Sequence, residues 1–149
     1  MKRPAVSIVL LGCALLACTA IAGCDRSTLE YIPSGGPYTM AQVEDLATQV
    51  SLSAVENKQT ADGATLREEA LLELREADND AALLADALTR DFPSDATSVP
   101  LLIEAATVDE VDAWIVVEAW GDTDGTFSRR RVWVLDRSTF TILGSTSFN

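Results

Sequence analysis

Asp112-Ala113-Trp114-Ile115-Val116-Val117-Glu118-Ala119-Trp120-Gly121 is followed, after Asp122-Thr123-Asp124-Gly125, by Thr126-Phe127-Ser128-Arg129-Arg130-Arg131-Val132-Trp133-Val134-Leu135. Both runs alternate with a period of two, and turn-forming residues separate them, which marks a β-hairpin. With 122–125 as a four-residue loop, Gly121 faces Thr126 and pairing runs back from there. Trp120 then meets Phe127, Glu118 meets Arg129, Val116 meets Arg131 and Trp114 meets Trp133. Opposite charges and aromatic rings fall together in this register, and a one-residue slip loses most of that agreement. The hairpin has two unlike faces. One carries Ile115, Val117, Ala119, Val132 and Val134, and this aliphatic face is expected to receive a long helix. The other carries Trp114, Glu118, Trp120, Arg129, Arg131 and Trp133.

Two more period-two runs flank the hairpin, Leu101 to Val108 and Phe140 to Ser147. Turn residues at Asp109 to Asp112 and Asp136-Arg137-Ser138 connect them, and such short links favour an antiparallel meander. Upstream the period lengthens. Thr39 and Gln42 form a capping-box pair, and Met40, Val43, Leu46, Ala47 and Val50 share one helical face. A second capping pattern, Thr65 and Glu68, opens the stripe Leu66, Ala70, Leu74, Ala77, Ala81, Leu84 and Leu88. Arg67, Glu69, Glu73, Glu76 and Asp80 lie largely off that stripe. Asp78-Asn79-Asp80 is a weak helix former able to split it, and Phe92-Pro93 ends it. The expected class is α+β: two N-terminal helices, about 39–55 and 65–91, then a four-stranded antiparallel β-meander.

The amino terminus speaks of location. Lys2 and Arg3 precede an uncharged run from Ala5 to Gly23, which ends in Ile21-Ala22-Gly23-Cys24. This resembles the bacterial lipobox. The resemblance implies cleavage before Cys24, lipidation of its thiol, and a protein anchored by acyl chains on the extracytoplasmic face of the cell membrane. An uncleaved apolar anchor is the alternative reading of the same run. The expected organisation is a signal peptide at 1–23, a lipid anchor and flexible tether at 24–38, and one α+β domain at 39–149. Pro33, Ser34, Gly35, Gly36 and Pro37 mark the tether, whose residues 25–37 can reach at most about 45 Å.

Composition then narrows the chemistry. Lys2 and Arg3 leave with the signal while all 23 acidic residues stay, so the net charge falls from −12 to −14. A surface this acidic repels nucleic acid and anionic head groups, so no nucleic-acid partner is expected. The cysteines are Cys13, Cys18 and Cys24, and lipidation of the last leaves none for a disulfide. There is no histidine. That removes Ser-His-Asp and Cys-His catalysis and most zinc and haem ligation, so neither an enzyme, a metal nor a cofactor is expected.

Other clusters have ordinary explanations. Asp122-Thr123-Asp124-Gly125 has a faint calcium-loop look but lacks the remaining ligands and reads as a turn. Asp109, Glu110 and Asp112 read as a solvated turn. Alternation splits Arg129-Arg130-Arg131 between both faces, so it forms no continuous basic patch. Glu118 beside Trp114 and Trp120 is a single acid, not the carboxylate pair that a glycosidase needs.

Arg131 to Ser147 is a strand, a turn at Asp136-Arg137-Ser138-Thr139 and another strand. This is similar to the end of PepSY-type and cystatin-like modules, with Phe140 where that pattern has Gly. The resemblance implies a helix preceding an antiparallel sheet and carries no activity with it.

Trp and Arg are enriched where proteins dock, so the Trp/Arg face is the candidate binding surface unless a helix covers it. The functional expectation is a small membrane-anchored, non-catalytic module that binds an envelope protein or peptide. The alternative is a small-ligand carrier with a pocket between helix and sheet. Mass spectrometry of the protein from its membrane is expected to show an amino terminus at a lipidated Cys24; an unmodified Cys24 overturns the anchor.

Overall fold

The computed structural model describes residues 27–92 and 98–149. The lipobox Ile21-Ala22-Gly23-Cys24 and the helix-ending Pro93 lie outside the described residues. The elements are β1 (Glu30–Ile32), β2 (Pro37–Tyr38), α1 (Met40–Gln49), a 3-10 turn (Thr60–Asp62), α2 (Gly63–Ala77), α3 (Asn79–Asp91), β3 (Ser98–Val108), β4 (Val111–Trp120), β5 (Arg129–Asp136) and β6 (Ile142–Phe148).

Strands β3 to β6 form the expected antiparallel meander in the order β3-β4-β5-β6. Two short strands that the sequence did not announce complete a six-stranded mixed sheet, since β1 and β2 both pair parallel to β3. They come from residues read above as tether. Strands of three and two residues are too short to show a period, and the Pro and Gly around them carry the louder signal. Leu29 is nevertheless buried, so the folded body begins well before residue 39.

The hairpin register is two places from the expected one. Trp120 pairs with Arg129, Glu118 with Arg131, Val116 with Trp133 and Trp114 with Leu135. The cause is Phe127. It leaves the ladder and is buried with Val55, Leu66, Val99, Leu101 and Ala119, which lengthens the loop. Thr60 anchors that loop, donating its hydroxyl to the carbonyls of Asp122 and Gly125 at 2.8 and 3.1 Å. An even slip preserves both faces, because side chains alternate with a period of two.

Helices cover both faces. Val43 and Ala47 of α1 pack on the aliphatic face with Leu102, Ala106, Ile115, Val117, Val132 and Val134. The α2–α3 pair lies on the opposite side, where Leu71, Leu74, Leu84 and Leu88 pack on Ile103, Trp114, Val116 and Leu135. The long helix was expected on the aliphatic face. It lies on the other because a broad pair of helices covers large rings, while the single α1 suffices for small aliphatics.

Local chemistry sets the helix limits. The Thr39 capping box forms: Thr39 Oγ1 accepts from Gln42 N at 3.3 Å and Gln42 Oε1 from Thr39 N at 2.8 Å. α1 ends at Gln49 rather than near residue 55. Arg130 donates to the Val50 carbonyl at 2.6 Å and draws the chain away from helical geometry there. The expected helix over 65–91 is two helices, because Asp78 takes extended backbone and caps α3, accepting from Ala81 N at 2.8 Å. Its other oxygen accepts from the Tyr31 hydroxyl at 2.6 Å, joining the helix break to β1. The Thr65–Glu68 capping box does not form: α2 begins at Gly63, directly after the 3-10 turn.

The β3–β4 connection is a two-residue turn, Asp109-Glu110, with φ of 46° and 69°. That left-handed pair matches the twist of a tight hairpin, although it costs more without glycine. Phe140 also has positive φ, 58°, at the position where the resembling families carry Gly. Asp136 fixes that turn, its Oδ1 accepting from the Ser138 and Thr139 backbone and hydroxyls. Those bonds, the Thr139 N–H foremost, hold the Asp136 carboxyl down to about 2.

Neighbours in α3 test its orientation. Leu84 is fully buried while Leu83 is 59 % exposed. Leu84→Ala is expected to cost about 2–5 kcal/mol and Leu83→Ala under about 0.5 kcal/mol in urea unfolding. Equal losses would contradict the packing.

Candidate functional site

Alternation in β4 and β5 places Trp114, Glu118, Trp120, Arg129, Arg131 and Trp133 on one side of the sheet, as expected. The helix pair then divides them. Trp114 is 1 % exposed and Glu118 is 2 % exposed, so neither belongs to a free surface. Trp120, Arg129, Arg131 and Trp133 are half-buried, beyond the part of the face that α2 and α3 cover.

Glu118 organises its surroundings. Arg67 Nη1 donates to its Oε1 at 2.6 Å. Its Oε2 accepts from Arg131 Nη2 at 2.8 Å and from Trp133 Nε1 at 3.1 Å. Burial acts to raise the Glu118 carboxyl, but the charges and hydrogen bonds of Arg67 and Arg131 outweigh it and hold the group below its ordinary range. Arg67 also donates to the Leu88 and Phe92 carbonyls, at 3.4 and 3.2 Å, which ties the end of α3 to α2. Arg67 was read above as lying off the buried stripe. It is buried because Glu118 needs it. The signal available was its own spacing, since Arg67, Leu71 and Leu74 follow the i, i+4, i+7 rule beside the stripe.

Guanidinium groups stack on all three indoles. Arg129 lies 4.8 Å from the Trp120 ring centroid, Arg131 4.7 Å from Trp133 and Arg137 5.1 Å from Trp114. Each of these arginines also has a carboxylate. Arg129 pairs with Asp122, Arg131 with Glu118 and Arg137 with Asp80. The strip is thus aromatic and polar, and each of these guanidinium groups is engaged by a carboxylate, although Arg131 shares Glu118 with Arg67. Asp122 of the calcium-like turn is taken up by Arg129, at 2.9 and 3.1 Å.

Next to the strip lies β6, the edge of the sheet on that side. Ser145 and Ser147 pair with Trp133 and Arg131, so they extend the same face. Thr146 and Phe148 lie on the α1 side, where the Thr146 hydroxyl donates to Glu44 at 2.8 Å. Ile142 and Leu143 are exposed. From Thr141 to Asn149 there is no charged residue and no proline.

On the α1 side, a cavity of about 500 Å³ opens between the end of α1, β1 and β3, with residues 50–54 across it. Leu46, Val50, Leu101 and Leu102 supply apolar walls, and Glu104 supplies a carboxylate. Glu104 is 2 % exposed. Its Oε1 accepts from the Tyr38 hydroxyl at 3.0 Å. Burial, aided by the bond to Glu104 and its charge, pushes the Tyr38 phenol up, so it stays a donor at neutral pH. Gly35 lies so close that a Cβ there would sit 1.7 Å from Glu104 Oε1. The sequence reading passed over Glu104 as one polar residue in a strand.

No family model, no curated protein and no solved structure matches this chain. No helix among the described residues is long and apolar enough to cross a membrane.

The Glu118 cluster makes two predictions. Arg67→Met is expected to cost about 3 kcal/mol, because it removes one of the two guanidinium partners of a buried carboxylate and leaves its Oε1 unpaired, whereas Arg67→Met with Glu118→Leu is expected to lose far less than the sum of the single changes. Additive losses in urea unfolding would remove the pair from its central place. Glu118 titrates lower in the folded than in the unfolded chain, so its stabilisation is present above its ordinary 4.5 and fades as pH falls through the folded value. Glu118→Gln is therefore expected to flatten the acid limb of stability below about pH 4.5 relative to wild type.

Proposed function

We propose that this protein is a non-catalytic binding module, held at the extracytoplasmic face of the cell membrane by a lipid on Cys24, which docks an extended segment of an envelope protein along β6. The observation that carries this reading is the edge strand itself. Natural edge strands are commonly protected by charge, proline or a bulge that blocks further pairing. The seven residues of β6 lack charge and proline in a chain of net charge −12, and beyond the bulge at Leu143 the pairing from Gly144 to Phe148 is regular and open on its outer side. Its backbone can accept another strand, with Trp133 and Arg131 offering side-chain contacts on one face. The net charge favours a neutral or basic segment as occupant. The lipobox Ile21-Ala22-Gly23-Cys24 supports the anchor, and the lack of histidine and free thiols supports a non-catalytic role.

The cavity beside Glu104 favours a second reading, a small-ligand carrier with its pocket between helix and sheet.

A photo-crosslinker at Ser145 in the membrane-bound protein is expected to capture one envelope protein through one extended segment. Leu143→Lys with Ser147→Lys is expected to abolish that capture and leave the thermal midpoint within a few degrees, since both positions are exposed. Capture that persists in the lysine variant would reject strand addition.

A further inference from the structure

The two acids buried in the sheet are treated differently. Glu118 has two guanidinium partners. Among the described residues, Glu104, equally buried, has only the neutral Tyr38 hydroxyl, and no arginine or lysine reaches it. Buried carboxylates are normally paired, because removal from water is costly without a counter-charge. The cavity that Glu104 lines is large enough for a small organic molecule, and among the described residues its lining includes Glu30 but no basic residue.

We propose that this cavity binds a small primary amine with an apolar body, whose ammonium group completes the pair with Glu104. This deepens the carrier reading and rests on it. Glu104 Oε1 is occupied by Tyr38, which leaves Oε2 to accept from the ammonium. Leu46, Val50, Leu101 and Leu102 take the apolar body, and Ser51, Ser53 and Gln49 offer oxygen acceptors for the remaining ammonium protons. A quaternary ammonium fits less well. Such groups are held in aromatic cages, and among the described residues Tyr38 is the one aromatic residue in the lining. Net charge of −12 raises the local concentration of any organic cation. Tyr38 and Gly35 are positioning residues here: the first holds one oxygen, and the second allows the backbone to lie against the carboxyl.

Calorimetric titration of the full chain in nanodiscs with n-hexylammonium, and separately with n-hexanol, tests this. Saturable binding of the amine is expected, at least about tenfold tighter than the alcohol, as a hydrogen-bonded charge pair adds. Glu104→Gln is expected to weaken the amine at least about tenfold and leave the alcohol unchanged. Tyr38→Phe, which keeps the ring and removes the hydroxyl, is expected to weaken the amine severalfold and keeps the test open should the Glu104 variant fold poorly. Equal binding of amine and alcohol overturns the proposal and spares the carrier reading. No saturable binding of either overturns both. Amine binding that survives Glu104→Gln overturns the assignment of the counter-charge.

Discussion

The Glu118 carboxylate, clasped between Arg67 and Arg131, is the contact on which the rest of the fold depends. It joins α2 to β4, and β4 to β5, and through Arg67 it also holds the final carbonyls of α3. Such a cluster stabilises little by itself, because desolvation of three ions offsets most of their attraction. Its weight lies in specificity. An α2 rotated on its axis, or a hairpin displaced by one residue, takes away one of the two guanidinium partners of a buried carboxylate and leaves an oxygen of it unpaired. The aliphatic side, packed by α1, imposes no such demand and tolerates small adjustments.

How far the sequence could be read follows from which forces are local. The capping box at Thr39, the alternation in β4 and β5 and the division of Arg129-Arg130-Arg131 between two faces depend on near neighbours, and all were legible. The hairpin register was not. Phe127 looked like a ladder partner for Trp120, and only the presence of Val55, Leu66 and Val99 explains its departure from the strand. β1 and β2 were hidden for a related reason: their partner β3 lies some 70 residues away in the chain, and nothing within so short a strand betrays it.

The candidate site shows the same division. The residues of the Trp/Arg face were found together because one strand pair places them there, but which of them a helix covers depends on packing that no single strand records. Trp114 and Glu118 became core, while Trp120, Arg129, Arg131 and Trp133 kept partial access. Glu104 escaped notice because a lone acid in a strand is ordinary. Only its depth, and the lack of a cation among its described neighbours, sets it apart from Glu118.

The parallel strand β1 has a consequence for how the domain would stand on a membrane under the proposed anchor. Because Glu30 is already bound into the sheet, a lipid on Cys24 leaves only the stretch between these two residues as a leash, about 20 Å when fully drawn out. Under the proposed anchor, the head groups would lie near the edge of the sheet that holds β1. β6 forms the opposite edge, across β3, β4 and β5, at a further distance of about 20 Å. A short leash attached at one rim turns the other rim outward. Such an attachment would fix the direction from which the proposed partner approaches before any contact is made.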